Sequence, residues 1–431
     1  MMRIGALRRA VRSFRSDRSG NVLMLFAFAL VPILALAGGV IDYTQAANVR
    51  IQLNAAADSA ALAAVSQAAM LKSIADSKAD AEKIFDANAV SYKSMLASRT
   101  VEITNVGLSR SAKVVYSANY PTHFASFVGQ AKVVVSGTSS AAGARAPFID
   151  FFLLLDNSPS MGVAATDDDI KVMVAKTSDK CAFACHQMDK ATSDYYTLAK
   201  SLGVQMRIDV VRTASQQLMD TAKSTATLTG QYRMAAYTMG ASCNGKTLTT
   251  IQSITSDLTA AKSAASAIDL MTIPYANFDS DQCTDFNTTL TSMNAVISNP
   301  GDGSSASLPQ KVLYFVSDGV ADYANSSSAS STKCSQKKSG TTRCQEPINT
   351  SFCKTIKDRG IKIAVLYTTY LPLPTNDWYN DWIKPFSAKI PTNMQACASP
   401  GLYFEVSPSQ GIAEAMNALF QRIVTKAYLS M

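Results

Sequence analysis

Histidine is almost missing from this sequence of 431 residues, which contains only His123 and His186. The sequence also has no H-E-x-x-H, no G-x-S-x-G and no glycine-rich phosphate-binding loop. Acid–base catalysis near neutral pH most often uses histidine, and the missing motifs are those of zinc peptidases, serine hydrolases and nucleotide-binding enzymes. We therefore expect a protein that is not an enzyme.

The net positive charge is small beyond the first 20 residues. Those residues hold six arginines and one aspartate, so they account for +5 of the formal net charge of +8 and leave +3 for the other 411 residues. A nucleic-acid-binding protein needs basic residues spread over a folded surface. No nucleic-acid partner is expected, and the basic segment 1–20 is predicted to be a cytoplasmic flank of a membrane helix.

Charge is absent from residues 19–41, and residues 21–41 read NVLMLFAFALVPILALAGGVI. About 20 apolar residues in a helix cross the roughly 30 Å hydrocarbon core of a bilayer. With arginines before this segment, the positive-inside rule places the chain after about residue 42 outside the cytoplasm. A cleaved signal peptide is the alternative, because Ala35-Leu36-Ala37 fits a cleavage pattern that would leave Gly38 first. The length of the run and the helical sequence after it favour a retained single-pass anchor.

Cysteine is absent before Cys181, and all eight cysteines follow. Such usage is typical of an oxidising compartment, here the periplasm or the cell surface. Cys353 and Cys397 precede predicted neighbouring strands, which favours a disulfide between them, and Cys243–Cys283 is a second candidate pair. Cys181 and Cys185 are expected to form a local disulfide, because C-x-x-x-C-H is one residue longer than a haem-attachment motif. The remaining disulfide candidates are Cys334 and Cys344.

Residues 42–140 have a helix-forming composition in their first half and a strand-forming composition in their second half. Residues 43–95 are rich in alanine and predict one or two helices. The β-branched runs 100–104, 112–120 and 131–137 predict strands of a small antiparallel sheet. A membrane helix followed by a helix-plus-β region is a pilin-like arrangement, and residues 141–147 (AAGARAP) are predicted to be a linker.

From residue 148 onward, strands and helices alternate. Continuous apolar runs predict buried strands at 148–155, 311–316 and 361–367, and a closing strand is expected at 403–406. Helical patterns lie between and after these strands, at 206–221, 255–270, 284–297, 352–359 and 411–427. Asn244-Gly245 predicts a hairpin between 232–238 and 247–251. The expected fold class is an α/β domain with a doubly wound, mostly parallel sheet and one antiparallel edge strand.

Oxygen-bearing side chains follow two of the buried strands. Asp156-Asn157-Ser158-Pro159-Ser160 follows the first and Ser317-Asp318-Gly319 follows the second, while Thr284 begins a helix between them. Each motif alone also suits a helix cap or a turn. Because carboxyl ends of parallel strands meet at one edge of a sheet, the motifs together predict a ligand site.

These segments resemble the metal-ion-dependent adhesion site of von Willebrand factor A domains. The resemblance implies a von Willebrand factor A-like domain over residues 148–431. It also implies that Mg²⁺, or another divalent cation such as Mn²⁺ or Ca²⁺, is bound by Asp156, Ser158, Ser160, Thr284 and Asp318. An open coordination position would then accept an acidic group from a protein partner. Two inserts, 162–200 with its Asp167-Asp168-Asp169 triplet and 321–346, are expected to lie beside this site, and the 321–346 insert is predicted to form part of the partner surface.

The N-terminal sequence carries a second resemblance. Residues 18–43 and 53–64, together with Cys397-Ala398-Ser399-Pro400 and Tyr403-Phe404-Glu405 near the end, are similar to TadG-like proteins of Flp (Tad) pilus assembly. The family implies an inner-membrane, single-pass component that faces the periplasm of a bacterial cell and contacts other pilus-assembly components. Leu25 occupies the position five residues after Gly20 where prepilin peptidase substrates usually carry glutamate, so pseudopilin processing is not expected.

Three functions follow from these features. The leading hypothesis is a membrane-anchored, metal-dependent protein-binding component of Flp/Tad pilus assembly or adhesion. One alternative is an envelope scaffold or sensor that binds another protein through the same ion and is unrelated to pili. The other is a structural pilin-like subunit that polymerises through its N-terminal helix.

Overall fold

The computed structural model describes residues 21–183, 185–190, 192–276, 278, 282–324, 334, 336–337, 343–370, 377–407 and 411–429. The arginine-rich segment 1–20 and most of the predicted insert 321–346 lie outside these residues. The chain divides after Arg145 into two compact units. We call them the N-terminal unit, which ends at Arg145, and the C-terminal unit, which begins at Ala146.

The N-terminal unit is a long helix followed by short helices and one antiparallel sheet of order β1-β2-β3. The elements are α1 Asn21–Ala64, α2 Gln67–Met70, α3 Ile74–Asn88, β1 Leu96–Val106, β2 Ser109–Pro121 and β3 Lys132–Ala144. The predicted helices and the small antiparallel sheet are therefore confirmed.

Helix α1 is the one helix in the described part of the chain that is long and apolar enough to cross a membrane. Its apolar side chains before residue 42 are mostly exposed, whereas those after it become buried on one face. The helix passes through Ala35-Leu36-Ala37 without a break. A single element thus joins the predicted anchor to the folded part of the N-terminal unit.

Small residues bring α1 and the sheet close together. The buried face of α1 carries Leu53, Ala56, Ala57, Ala60, Ala61 and Ala64. On the sheet side, a Cβ atom at Gly137 would lie 2.7 Å from the Tyr116 ring, and one at Gly143 would lie 2.8 Å from the Val65 carbonyl. The Tyr116 hydroxyl donates to Asn54 Oδ1 across this contact (2.7 Å). Only residues with little or no side chain fit such an approach.

The predicted linker 141–147 needs correction for this reason. Residues 141–144 continue strand β3, and Ala141, Ala142 and Gly143 pair with β2. Their small size, which indicated a linker, serves close packing against the α1–α2 region instead.

The C-terminal unit alternates strands and helices throughout. Its strands are β4 Ile149–Leu155, β5 His186–Gln187, β6 Tyr232–Thr238, β7 Thr249–Thr255, β8 Thr272–Ile273, β9 Gln310–Ser317, β10 Val320–Ala324, β11 Gln336–Lys337, β12 Arg343–Pro347, β13 Lys362–Thr368 and β14 Tyr403–Val406. Its helices are α4 Asp167–Lys176, α5 Tyr195–Ser201, α6 Arg207–Thr225, α7 Leu258–Ala264, α8 Phe286–Val296, α9 Thr350–Asp358, α10 Lys389–Cys397 and α11 Ile412–Leu429.

Six of these strands form the main sheet, in the order β14-β13-β9-β4-β6-β7. All neighbours are parallel except β6 and β7. Strand β4 is buried on both faces: Phe151, Leu153 and Leu155 pack with α6 and α11, and Phe152 and Leu154 pack with α8, α9 and α10. The predicted fold class, an α/β domain with a doubly wound, mostly parallel sheet and one antiparallel edge strand, is confirmed by this arrangement.

Three disulfides join residues of the C-terminal unit, namely Cys243–Cys283, Cys334–Cys344 and Cys353–Cys397. The predicted Cys181–Cys185 disulfide is wrong, since the described cysteines at these two positions are not joined. Ala182 and Phe183 pair with the chain at Val163 and Ala164. The pairing extends the backbone at Ala182 and Phe183, between the two cysteines, whereas a disulfide needs their Cα atoms within about 7 Å of each other.

Candidate metal site

The side chain of Asp156 is fixed at the carboxyl end of β4. It is fully buried, its Oδ1 accepts a hydrogen bond from the Ser158 backbone N–H (2.9 Å), and its Oδ2 accepts one from the Ser317 hydroxyl (2.6 Å). Ser317 is the last residue of β9, the neighbouring parallel strand. The carboxylate is therefore held by groups from two adjacent strand ends, as the topology of an open α/β sheet allows.

Alternate residues after β4 point in different directions. The hydroxyls of Ser158 and Ser160 lie 3.1 Å apart. Asn157 turns away from them: its Nδ2 donates to the Gly240 carbonyl (2.7 Å) and its Oδ1 accepts from the Met239 N–H (3.1 Å). Asn157 thus fixes the loop to the end of β6, which leaves the two serine hydroxyls together.

Asp318 follows β9 and completes the cluster. The Val320 N–H donates a hydrogen bond to its Oδ1 (3.2 Å). Oδ2 of Asp318 is buried and has no hydrogen-bond partner among the described residues. The nearest positive charge is Arg207 Nη1 at 3.9 Å, an ion pair without a hydrogen bond.

The two buried carboxylates are poorly compensated. Burial raises the pKa of Asp318 to about 7, and the adjacent charge of Asp156 adds to this effect while Arg207 and Ser160 oppose it. Burial likewise raises the pKa of Asp156 above its ordinary value, although Ser158 and Ser317 donate to it. Two like charges in a site closed to water require a further cation or a proton.

Backbone hydrogen bonds fix the position of Thr284. Its N–H donates to the Asp322 carbonyl (2.8 Å) and its carbonyl accepts from the Asp322 N–H (2.9 Å). Asp322 lies in β10, four residues beyond Asp318, and forms a buried ion pair with Arg343. The structure thus brings Asp156, Ser158, Ser160 and Asp318 into one cluster and ties Thr284 to the strand that leaves it. A direct contribution of the Thr284 hydroxyl stays a prediction.

Two residues of this cluster were missed by sequence reasoning. Ser317 immediately precedes the predicted ligand Asp318, so its place at the strand end was a usable signal. The sequence contains no signal for Arg207, because this residue lies in the first turn of an amphipathic helix, where basic residues are normally exposed. It is instead buried, with its guanidinium Cζ 6.0 Å from the centre of the Tyr370 ring.

The residues present fit a hard divalent cation. Asp156, Ser158, Ser160 and Asp318 offer carboxylate and hydroxyl oxygens, the ligands that Mg²⁺, Mn²⁺ and Ca²⁺ accept. Within the described part of the chain, no group of three His, Cys, Asp or Glu side chains could hold a metal, so hydroxyl ligands would have to contribute here. The unpartnered Asp318 Oδ2 is the atom that a cation would satisfy most directly.

The acidic triplet in the first insert has a local structural role. Thr166 caps helix α4 and donates to Asp169 (2.7 Å), while Asp168 pairs with Lys171 (2.7 Å). Negative side chains in the first turn of a helix are favoured by its dipole. These contacts give Asp168 and Asp169 a structural role at the start of the helix.

The comparison with known families concerns the N-terminal unit. Residues 20–69 match the putative Flp pilus-assembly TadE/G-like family. The predicted resemblance is therefore confirmed over these residues, which cover the apolar part of α1 and its continuation into the fold. No curated protein matches the chain.

Solved structures of low similarity include pilus proteins. The vWF domain of the type V pili tip protein Mfa5 from Porphyromonas gingivalis is 11% identical, with a TM-score of 0.38 over 66% of this chain and 97% of that one. A point mutant of the PilB minor pilin from Streptococcus sanguinis is 12% identical, with a TM-score of 0.34 over 77% and 78% of the two chains. Likenesses of this size support no conclusion about the site.

Proposed function

We propose that the C-terminal unit binds a divalent cation, Mg²⁺ or else Mn²⁺ or Ca²⁺, and through it an acidic group of a protein partner. Asp156, Ser158, Ser160 and Asp318 would hold the ion, with Thr284 as a further ligand. The bound ion would supply a positive centre with positions open to a carboxylate. The protein fixes the carboxylate and hydroxyl oxygens that bind the ion. Because only two of these side chains are carboxylates, the bound ion would keep enough positive charge to attract an anion at its open position.

One observation supports this proposal most strongly. Asp318 Oδ2 is buried without a hydrogen-bond partner among the described residues, next to a second buried carboxylate. Buried polar atoms in native proteins are nearly always paired, and an exception calls for an unseen ion, a water or a function. An ion pair of 3.9 Å with Arg207 offsets only part of the cost. A cation bound at this cluster would offset the rest of the free-energy cost of burying the Asp318 carboxylate.

We further infer that the protein is a membrane-anchored, periplasm-facing component of Flp/Tad pilus assembly or adhesion. The TadE/G-like match of residues 20–69 supports the pilus association, and the uninterrupted apolar helix α1 supports the anchor. Three disulfides in the C-terminal unit favour an oxidising compartment for it. The arginines before α1 favour a cytoplasmic N-terminus in the inner membrane. Its partners would be other pilus-assembly components, and its role binding rather than catalysis.

Cation binding is tested by titrating the purified full-length protein in detergent with Mg²⁺, Mn²⁺ and Ca²⁺ in a calorimeter. The Asp156→Ala variant should lose measurable binding, because it removes one of two carboxylates from the cluster. Asp168→Ala is the matched control: it removes an aspartate whose side chain is 91% exposed on the same unit. At a metal concentration about 100 times Kd, wild type and control should gain about 2.7 kcal/mol of stability that Asp156→Ala lacks.

Retention of divalent binding in Asp156→Ala, or no binding by the wild type, would refute the metal site. Partner binding is tested next, by capturing acidic pilus-assembly components with the wild type in Mg²⁺ or in chelator. Capture that is unchanged in chelator would separate the protein contact from the ion and favour a scaffold role. Recovery of the chain as a regular component of purified filaments would instead favour the structural pilin-like role.

The orientation is tested by adding protease to spheroplasts that carry a C-terminal epitope tag. A periplasm-facing C-terminal unit is accessible only after the outer membrane is opened, and it is then digested while a cytoplasmic marker stays intact. Protection of the tag in spheroplasts would contradict the proposed topology.

A further inference from the structure

The loop between β2 and β3, residues 122–131, exposes apolar side chains at one end of the N-terminal unit. Phe127 is 88% exposed, Val128 71% and Phe124 45%. A short 3₁₀ turn, Ala125–Val128, presents these side chains, and Gly129 ends it with a φ of 90°. Large exposed apolar groups that lie side by side on a folded surface usually mark a contact with a partner or a membrane.

The same loop is fixed to α1 at the end of the predicted membrane-spanning segment. Asp42, the first charged residue after that segment, is buried and accepts hydrogen bonds from the backbone N–H groups of His123 (3.0 Å), Phe124 (2.8 Å) and Ala125 (2.7 Å). One turn earlier on the helix, a Cβ atom at Gly38 would lie 2.6 Å from Phe124 Cγ. The absence of a side chain at Gly38 lets Phe124 rest on the helix backbone.

These contacts define the level of the loop along α1. A helix rises 1.5 Å per residue, so Gly38 lies roughly 6 Å before Asp42, inside the apolar segment that ends at residue 41. Phe124 packs on Gly38, and the neighbouring Phe127 and Val128 are exposed beside it. The apolar surface of the loop is therefore continuous with that of the last turns of the anchor.

The charge distribution points to lipid rather than water around this loop. No lysine, arginine, aspartate or glutamate occurs between Lys113 and Lys132. The single carboxylate at this level, Asp42, is covered by the loop and satisfied by its N–H groups, which is how a charge is tolerated near hydrocarbon. At the opposite end of β2, the turn after Val106 is followed by Arg110 and preceded by Glu102.

We propose that the 122–131 loop inserts Phe127 and Val128 into the outer interface of the bilayer, next to the point where α1 leaves it. The loop would be a second, shallow membrane contact that fixes the depth and the tilt of the N-terminal unit. Aromatic side chains are favoured at this level of a membrane, and a lone helix does not set its own tilt. The proposal rests on the membrane anchoring proposed above.

The test uses the full-length protein in phosphatidylcholine nanodiscs, with and without bromine atoms on the acyl chains. Bromine quenches tryptophan emission at short range, and Trp378→Phe with Trp382→Phe removes the native signal. Phe127→Trp then reports the loop and Leu36→Trp reports the anchor. Val106→Trp is the matched control, because Val106 is an apolar side chain 72% exposed at the far end of the same sheet. Circular dichroism verifies that each variant is folded.

In brominated lipid, tryptophan emission should fall strongly in the Phe127→Trp and Leu36→Trp variants. The emission of the Val106→Trp variant should stay unchanged. Quenching of Phe127→Trp should be strongest with bromine near the headgroup end of the chain, as expected of a shallow contact. If Leu36→Trp is quenched and Phe127→Trp behaves like Val106→Trp, the loop proposal is wrong and the anchor stands. If Leu36→Trp is not quenched either, the anchor is wrong. A blue shift of Phe127→Trp without quenching would show that protein, not lipid, covers the loop, and would also overturn the proposal.

Discussion

The N-terminal and C-terminal units differ in how completely their buried charged side chains are hydrogen-bonded. In the N-terminal unit, buried Asp42 accepts three N–H hydrogen bonds, and buried Arg110 donates to Asn105, Ser77 and the Ala69 carbonyl. In the C-terminal unit, buried Asp150 is equally well paired, with Arg233 and Lys311. Asp318 and Arg207 are the contrast: both are buried, and each retains polar atoms without a hydrogen-bond partner among the described residues.

Among the buried charged groups, this difference is consistent with a structural role for the paired ones and with the binding role proposed for Asp318. A buried charge that is fully paired stabilises one arrangement of the chain, whereas an incompletely paired one costs free energy unless a ligand completes it. The N-terminal unit has the properties of a closed packing unit attached to an anchor. The C-terminal unit leaves an incomplete site at the end of its central strands, which is where a binding function is expected.

The units also differ in covalent support, and this predicts the largest effect. Cys353 and Cys397 join α9 to α10 across 44 residues. Replacing both with alanine should lower the free energy of unfolding of the C-terminal unit by about 2–4 kcal/mol, because the unfolded chain regains the freedom that the bridge removes. Hydrogen exchange of the full-length protein, followed by mass spectrometry, measures this in β13. Strand β2 of the cysteine-free N-terminal unit is the internal control, and an equal loss of protection there would contradict the comparison.

The packing of the N-terminal unit predicts a smaller effect. Ala57 on α1 is fully buried within the N-terminal unit, whereas Ala55, two residues earlier, is exposed. Ala57→Leu should destabilise the N-terminal unit by about 1–3 kcal/mol, since the close approach of helix and sheet leaves no room for extra methylene groups. Ala55→Leu is the matched control and should change stability by less than about 0.5 kcal/mol. Hydrogen exchange in β2 and β3 reads out both variants, and similar effects of the two would show that the interface is not tightly packed.

The incomplete charge pairing of the C-terminal unit predicts the smallest effect. Arg207→Met removes the positive charge near Asp318, so the proposed divalent cation should bind about tenfold more tightly, a difference of about 1.4 kcal/mol. The metal-free protein should become less stable, because Asp318 loses its counter-charge. Calorimetric titration measures the affinity, and Arg207→Lys, which keeps the charge, should stay close to the wild type. Weaker binding by Arg207→Met would mean that the arginine supports the ion rather than opposing it.

Several features could be predicted because their signals are local. The uncharged run 19–41 indicates the long apolar helix without knowledge of the fold, and continuous apolar runs indicate strands buried on both faces of a parallel sheet. The D-x-S-x-S motif and Asp318 could be paired because parallel strands end at a common edge. The expected cysteine pairs Cys353–Cys397 and Cys243–Cys283 also form.

Other features could not be predicted from the sequence, because one sequence pattern is compatible with two structures. The alanine and glycine residues at 141–144 look like a linker, yet they continue β3 because only small side chains fit there. Cys181 and Cys185 are close in sequence, but Ala182 and Phe183 between them pair with Val163 and Ala164. Composition and spacing do not report which neighbour a segment will meet.

The sequence by itself determined the class of fold, the apolar helix and the residue types of the candidate site, because hydrophobic periodicity and strand-end motifs are properties of short segments. Only the tertiary structure decided that Arg207 is buried beside Asp318 and that the 122–131 loop covers Asp42 at the end of the apolar segment. Both contacts join residues more than 80 positions apart in the chain. Such contacts arise from the packing of whole elements, and no local pattern encodes them.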